Sequence, residues 1–204
     1  MMMVGLTGGF GTGKTTVLSM FERSGAKTLN SDSVVHEVLL RDKRVIKKIK
    51  EAFGEDVFCA GRVDRKLLAK KVFYNKRYLE KLNSLVHPAV KRKVFEMRRH
   101  LKAMRGQTIM VVEVPLLFEA GFDKFFDLTI GVAAGLKHKR ERLLKNTRFS
   151  TEDIKARTRI QLPLEDKARR CDFVIDNNGA KIETFKQVKK LMSSLSKSLP
   201  AGRQ

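Results

Sequence analysis

Residues 8–15 read Gly-Gly-Phe-Gly-Thr-Gly-Lys-Thr, and this stretch constrains the fold more than any other part of the chain. It fits the pattern G-x-x-x-x-G-K-[ST] and lies between a short apolar run at 2–7 and a segment of helical apolar spacing at 16–21. The glycines allow the backbone to curl so that successive N–H groups point at phosphate oxygens, and the start of the helix adds partial positive charge. The order strand, loop, helix therefore predicts a loop that binds the phosphates of a nucleoside triphosphate.

Two side chains of this loop have separate predicted roles. Lys14 is expected to reach the β- and γ-phosphates with its ammonium group, and the Thr15 hydroxyl is expected to coordinate Mg²⁺. We predict that the residues holding the nucleotide at the loop are Gly9, Gly11, Thr12, Gly13, Lys14, Thr15 and Thr16.

Further apolar runs have the composition of strands buried on both faces, as in a parallel sheet covered by helices. With 2–7 they predict five parallel strands in an α/β fold, the other four being 26–29, 109–114, 128–133 and 173–175.

The segment between the second and third of these strands has the apolar spacing of helices. Helices are predicted there at 33–40, 44–53, 65–73 and 76–101. An insert of this length is too long for a simple crossover, so we expect it to form a helical lobe beside the sheet.

The formal net charge is +21, from 43 Lys and Arg against 22 Asp and Glu, and it is unevenly placed. Residues 41–105 carry a net charge of +14 and residues 137–170 a net charge of +7, whereas 106–136 carry −3. Such segments attract nucleic acid or a phosphorylated small molecule, or they form a solvated basic surface. Nucleic acid is disfavoured because no aromatic side chains are interleaved with the bases; the chain has no Trp and two Tyr.

Two acids follow or end predicted strands, at the sheet edge where ligands of open α/β folds gather. Asp32 is placed to act as the base of a kinase that phosphorylates an alcohol. It is equally able to cap the helix at 33–40, with Asn30 and Ser31 as competing caps. Glu113 ends the third strand and is either a ligand of Mg²⁺ through water or a buried, hydrogen-bonded acid.

Arginines recur between 137 and 170, on helices predicted to break near Phe149 and Ser150. A helical lid over the triphosphate would use such cations to neutralise charge on the transferred group and to exclude water. The alternative is a solvated helical face.

Composition excludes several classes of protein. No apolar run approaches the roughly 20 residues of a membrane span, and no basic region precedes the apolar start, so we expect a cytoplasmic protein with no membrane partner. Cys59 and Cys171 are far apart and lack metal-ligand spacing, which predicts reduced, buried thiols and neither zinc nor a disulfide. We expect a monomer.

The chain resembles the dephospho-coenzyme A kinases over nearly its full length. The stretches that carry the resemblance are Gly-Leu-Thr-Gly-Gly-Phe-Gly-Thr-Gly-Lys-Thr-Thr (5–16), Asn-Ser-Asp (30–32), Val-Asp-Arg (63–65), Leu-Val-His-Pro (85–88), Val-Pro-Leu-Leu-Phe-Glu (114–119), Gln-Leu-Pro-Leu (161–164) and Asp-Asn-Asn-Gly (176–179). Two positions differ, since the family commonly has an acid at Asn30 and often an arginine at Asn146.

The resemblance implies a five-stranded parallel sheet of the P-loop nucleotide/nucleoside kinase type, with a helical substrate-binding insert and a helical lid. We predict a kinase core of 1–32, 106–136 and 171–204, a substrate domain of 33–105 and a lid of 137–170. The implied reaction transfers the γ-phosphate of ATP, with Mg²⁺, to the ribose 3′-hydroxyl of dephospho-coenzyme A.

The resemblance also implies roles for individual residues. Asp32 becomes the expected catalytic base, beside Lys14 and Arg142 as catalytic cations, and His87 either binds substrate or fixes a helix entrance before Pro88. Implied substrate residues are Asp32, Arg65, His87, Pro115, Leu116, Arg157 and Gln161. Implied nucleotide-binding residues outside the loop are Arg142, Asn177, Asn178 and Gly179, and the implied metal site is Thr15 with Glu113. The alternative function is a kinase of the same architecture acting on a nucleoside, a nucleotide or shikimate.

Overall fold

The structure, a computed structural model, describes residues 1–73, 75–103, 108–144 and 150–198. Within these ranges it does not describe the side chains at 73, 102, 103, 144, 152, 153, 156 and 157. The chain divides into two compact units, one made of 1–30 with 101–204 and the other of 31–100.

The first unit is built on a parallel sheet of five strands. The strand bounds are β1 Met2–Gly8, β2 Lys27–Asn30, β5 Ile109–Glu113, β6 Leu128–Ala133 and β7 Phe173–Asp176, and their order across the sheet is β2-β5-β1-β6-β7. The predicted five-stranded parallel sheet is confirmed. Because β1 is central, the loop that follows it opens at the middle of the carboxyl edge of the sheet.

The helices that the structure describes in the first unit are α1 Lys14–Arg23, α6 Leu136–Leu144, α7 Thr151–Arg159, α8 Leu164–Arg170 and α9 Lys181–Ser198. Two of them, α1 and α9, bury apolar side chains against the sheet. Phe21 of α1 and Val188 of α9 are fully buried in one cluster with Val4, Leu6 and Val111 of the sheet. A fully buried side chain of this size contributes about 1.5–3 kcal/mol, so the cluster fixes α1, the helix that carries Lys14 and Thr15 at the end of the predicted phosphate loop.

The second unit contains helices and one short hairpin. Its elements are α2 Ser31–Arg41, α3 Lys43–Phe53, β3 Phe58–Cys59, β4 Arg62–Val63, α4 Arg65–Phe73 and α5 Lys76–Ala103, the last of which continues into the first unit. Asp42 caps α3, accepting from the amides of Arg44 and Val45 at 3.0 and 3.2 Å. Asp64 caps α4 in the same way, so these two acids have local structural roles.

Three features of this unit differ from the sequence-based expectations. Pro88 lies inside α5, so His87 is a mid-helix residue and does not fix a helix entrance. Helix α2 begins at Ser31, which places Asp32 inside the first helical turn, not before it as a capping residue would be. Cys59 is exposed, contrary to the prediction of a buried thiol, because it lies beside the hairpin turn.

Among the described helices, none combines the length and apolar composition that a membrane-spanning segment needs.

Candidate active site

The loop between β1 and α1 has the backbone geometry of a phosphate cradle. Gly11 and Gly13 have φ of +80° and +89°, in the left-handed region that side chains rarely adopt. Gly13 directly precedes α1, and a Cβ at this position would collide with the Asn177 side-chain amide. Glycine is therefore required there both by conformation and by space.

Lys14 is buried at the start of α1, with 8% of its surface exposed. Its ammonium donates to the Gly9 carbonyl at 3.0 Å, and Thr12 donates to the same oxygen through its hydroxyl at 3.0 Å. The cation is thus held across the mouth of the loop, where incoming phosphates would meet it.

Asn177, which follows the edge strand β7, connects the turn after that strand to the loop after β1. It is 4% exposed; its amide donates to the Thr12 carbonyl at 2.8 Å, and its side-chain oxygen accepts from the Thr184 hydroxyl at 3.0 Å. Arg142 of α6 donates to the same Thr12 carbonyl at 3.1 Å and to the Asn177 carbonyl at 2.7 Å. The predicted catalytic cation Arg142 therefore contacts the back of the loop through backbone oxygens.

Asn178 and Gly179 continue this turn. The Asn178 side-chain oxygen accepts from the Gly135 amide at 2.5 Å, and its side-chain nitrogen donates to Asp176 at 2.6 Å. A Cβ on Gly179 would meet no atom within 4 Å. The turn thus presents an open face directly beside the segment that holds Thr12.

Thr15 and Glu113 are brought together as the predicted metal site requires. Glu113 is 4% exposed, and its two carboxylate oxygens lie 3.4 and 3.2 Å from the Thr15 hydroxyl. Asn30 pairs with Glu113 in register across β2 and β5, and its amide donates to the carboxylate at 3.1 Å. Hydroxyl and carboxylate oxygens are ligands that Mg²⁺ accepts, so this donor set fits that metal. Glu113 also fits the alternative expectation of a buried, hydrogen-bonded acid.

Of the residues assigned to substrate binding, three lie in the unit 31–100. Asp32 is the second residue of α2. Arg65 is exposed at the start of α4, with Nη1 3.3 Å from Nδ1 of His36. His87 is half-buried in α5; burial lowers its pKa, and the nearby Lys91 cation lowers the pKa further.

Pro115 and Leu116 lie in the turn that follows β5, and both are partly exposed. The Pro115 carbonyl accepts from the ammonium of Lys167 at 2.6 Å. Glu119 ends the same turn and accepts from Lys167 at 2.9 Å and from the Leu162 amide at 2.8 Å.

Gln161 precedes Leu162 and is partly buried, and its side-chain oxygen has no hydrogen-bond partner among the described residues. Arg157 lies in α7, but its side chain is outside the described residues, as is Asn146.

Comparison with known proteins places this site in a family. The family model for dephospho-CoA kinase matches residues 2–183. The chain belongs to the dephospho-CoA kinase family.

Curated and solved relatives agree with this membership. A dephospho-CoA kinase of Bacillus cereus is 37% identical over 94% of this chain and 96% of its own length. A crystal structure of a Thermus thermophilus protein, TT1252, matches with a TM-score of 0.79 and 31% identity over 98% of both chains. A dephospho-CoA kinase structure from Campylobacter jejuni matches with a TM-score of 0.70 and 25% identity, covering 96% of this chain and 97% of its own.

The sequence reasoning missed the tie that Asn177 makes in this member of the dephospho-CoA kinase family. It assigned Asn177 to nucleotide binding and did not anticipate the bonds to Thr12 and Thr184. Nothing in the local pattern marks a partner 165 residues away.

Lys167 was also missed, although a signal was present. It stands in a charged run, but it shares one helical face with Leu164, Ala168 and Cys171 at spacings of three and four residues. A cation on an apolar stripe indicates a buried, paired side chain, and Lys167 is completely buried.

Proposed function

We infer that this chain transfers the γ-phosphate of ATP to the 3′-hydroxyl of the ribose of dephospho-coenzyme A, giving coenzyme A and ADP. The observation that carries this inference is the dephospho-CoA kinase family match over residues 2–183, which includes the loop with Lys14 and Thr15. The activity is the last step of coenzyme A synthesis.

The donor nucleotide would be held by the loop after β1. Its backbone amides and Lys14 would bind the β- and γ-phosphates, with Thr16 beside them at the start of α1. The turn of Asn177, Asn178 and Gly179 would lie beside the adenine. Arg142 would compensate charge on the phosphates when the proposed lid, 137–170, closes.

Mg²⁺ would be held by the Thr15 hydroxyl and, through water, by Glu113. When bound, such an ion neutralises charge on the β- and γ-phosphate oxygens. The protein's own contribution is to keep the Glu113 carboxylate fixed, which the hydrogen bonds from Asn30 and Thr15 support.

Asp32 would act as the catalytic base. Only Ser31 separates it from Asn30, the last residue of β2, and Asn30 bonds to the carboxylate that faces Thr15. As the 3′-oxygen bonds to the γ-phosphorus and the bridging bond to ADP breaks, the hydroxyl proton passes to the Asp32 carboxylate.

The remaining substrate contacts are assigned to two parts of the chain. The segment 33–105 would form the substrate domain with Arg65 and His87, while the rest of the contacts come from Pro115, Leu116, Arg157 and Gln161. We propose that the enzyme works in the cytoplasm as a monomer, without nucleic acid or membrane partners.

The deciding experiment follows ATP-dependent phosphorylation of dephospho-coenzyme A, with shikimate and nucleosides as parallel acceptors. We expect coenzyme A to form at a kcat/KM at least 100-fold above that for any other acceptor. Faster turnover of shikimate or of a nucleoside would replace this function by the alternative kinase.

A further inference from the structure

Lys167 is a buried cation with two acceptors on one neighbouring turn. None of its surface is exposed, and its ammonium donates to the Pro115 carbonyl at 2.6 Å and to Glu119 at 2.9 Å. Burial lowers the pKa of Lys167, and the bond and charge of Glu119 oppose that shift. Through Lys167, the short helix α8 thus contacts both ends of the turn 115–119.

Glu119 extends this grip to a third segment. The carboxylate oxygen that accepts from Lys167 also accepts from the Leu162 amide at 2.8 Å. Leu162 directly follows Gln161 and lies between α7 and α8. One carboxylate oxygen of Glu119 therefore connects the turn after β5 both to α8 and to the residues just before it. The other oxygen of Glu119 is buried and has no partner among the described residues.

A second contact holds the same turn to α8. The Arg170 guanidinium lies over the Phe118 ring, 4.3 Å from its centroid. Phe118 is 8% exposed, so the ring is fixed from inside by the protein and from outside by this cation.

Stability alone does not account for a buried ion pair at this place. Desolvation of both charges offsets most of their attraction, and well-packed uncharged residues usually do as well or better. What the pair adds is a defined geometry, since a cation with two acceptors admits few arrangements of the segments that carry them.

We propose that Lys167 is a positioning residue for phosphoryl transfer. Together with Glu119 it holds Pro115 and Leu116 at a fixed position relative to Gln161, so that the acceptor substrate meets these segments in one arrangement. This inference rests on the proposed function for its substrate, because those residues are the ones assigned to dephospho-coenzyme A. Lys167 itself does not touch the reacting atoms.

The test compares wild type with Lys167→Met, Glu119→Gln and the double variant. We expect Lys167→Met to lower the Tm and to raise the KM for dephospho-coenzyme A about 10-fold or more, with the KM for ATP changed less than about 2-fold. In the double variant the unpaired charge is gone, so the Tm recovers. The KM for dephospho-coenzyme A stays raised, because no cation holds Pro115 and Glu119.

A purely structural role gives the opposite pattern, since the KM would then return toward wild type together with the Tm. That result would overturn the proposal, as would an unchanged KM for dephospho-coenzyme A in Lys167→Met or in the double variant. The matched control is Arg169→Met, which removes an exposed cation of α8 that lies 3.8 Å from the Asp166 carboxylate. It should change neither KM.

A readout without substrate separates this inference from the proposed function. Amide hydrogen exchange in peptides covering 114–119 and 160–163 should accelerate about 10-fold or more in the double variant, while β1 stays protected. If wild type fails to phosphorylate dephospho-coenzyme A, the proposed function is wrong. The exchange measurement still tests whether Lys167 holds the turn 115–119. If Lys167→Met does not fold, the double variant, which leaves no buried charge unpaired, carries the test. Unchanged exchange in both peptides would refute the proposal that Lys167 and Glu119 hold these segments together.

Discussion

Replacing Asn177 by alanine would cut the tie between the phosphate loop and the turn after β7. The substitution removes the bond to the Thr12 carbonyl at 2.8 Å and the bond from the Thr184 hydroxyl at 3.0 Å. All three groups are buried, with Thr12 and Thr184 completely inaccessible. Water therefore cannot replace the lost partner without structural change.

The expected loss of stability follows from what each partner retains. The Thr12 carbonyl keeps the bond from Arg142, so its loss is at the low end, about 1 kcal/mol. The Thr184 hydroxyl loses its acceptor in the interior, which costs about 1–3 kcal/mol. Together the free energy of unfolding should fall by about 2–4 kcal/mol, or about 4–16 °C in Tm for a chain of this size.

Urea unfolding monitored by circular dichroism, with and without ATP, checks this value. Thr184→Val is the matched variant, because it removes only the hydroxyl bond and should cost less than Asn177→Ala. The ATP-induced rise in Tm should also shrink in Asn177→Ala, since the loop is no longer held. A loss below about 1 kcal/mol, or a larger loss in Thr184→Val, would refute this account of the tie.

Three further perturbations test the proposed chemistry and one titration. Asp32→Asn should lower kcat by about 10²–10⁴-fold with ATP binding retained, because the proton acceptor is lost and the loop is intact; Asp166→Asn is the control, and near wild-type kcat in Asp32→Asn would remove this residue from the mechanism. Lys14→Ala should weaken both ATP binding, measured by calorimetry, and transfer; unchanged binding would show that the cation does not reach the phosphates. The lowered pKa of His87 means that the unfolded chain binds its proton first as pH falls, so stability is lost below about pH 6.5. His87→Gln should therefore lose less unfolding free energy than wild type between pH 7 and pH 5, and an equal loss would assign the acid sensitivity to other groups.

The sheet and its loop were predictable because their signals are local. Strands β1, β5 and β6 are mainly apolar runs, and the glycine spacing of 8–15 stands between the first run and a helix. The edge strands β2 and β7 gave a weaker signal, because they mix apolar and polar residues and are largely exposed or half-buried, not buried on both faces. The chain order of strands and crossover helices then leaves few topologies for a parallel sheet.

The hairpin of β3 and β4 was not predictable in the same way. Each of its strands has two residues, too few to show an alternating pattern. Its only local signal is the turn at Ala60 and Gly61, where φ is +46° and +72°. A positive φ is uncommon at alanine, so the local sequence gave little reason to expect a turn at Ala60.

The partners of the site residues depend on tertiary structure. Glu113 was predicted to be either a metal ligand or a buried acid, and the structure shows a buried acid beside Thr15, which is compatible with both. The junction at Glu119 joins segments 43 residues apart, through Leu162. No periodicity encodes such a pair, since each residue alone has the appearance of an ordinary surface or turn position.

The contrast between the two cysteines makes the natural chain suitable for site-selective labelling. Burial, with the neighbouring Asp172 charge, raises the pKa of Cys171 to about 11, so its reactive thiolate is scarce at neutral pH. Cys59 is exposed on the hairpin of the unit 31–100. A maleimide dye should therefore couple at Cys59 alone, giving a fluorescent reporter on that unit without any change to the sequence.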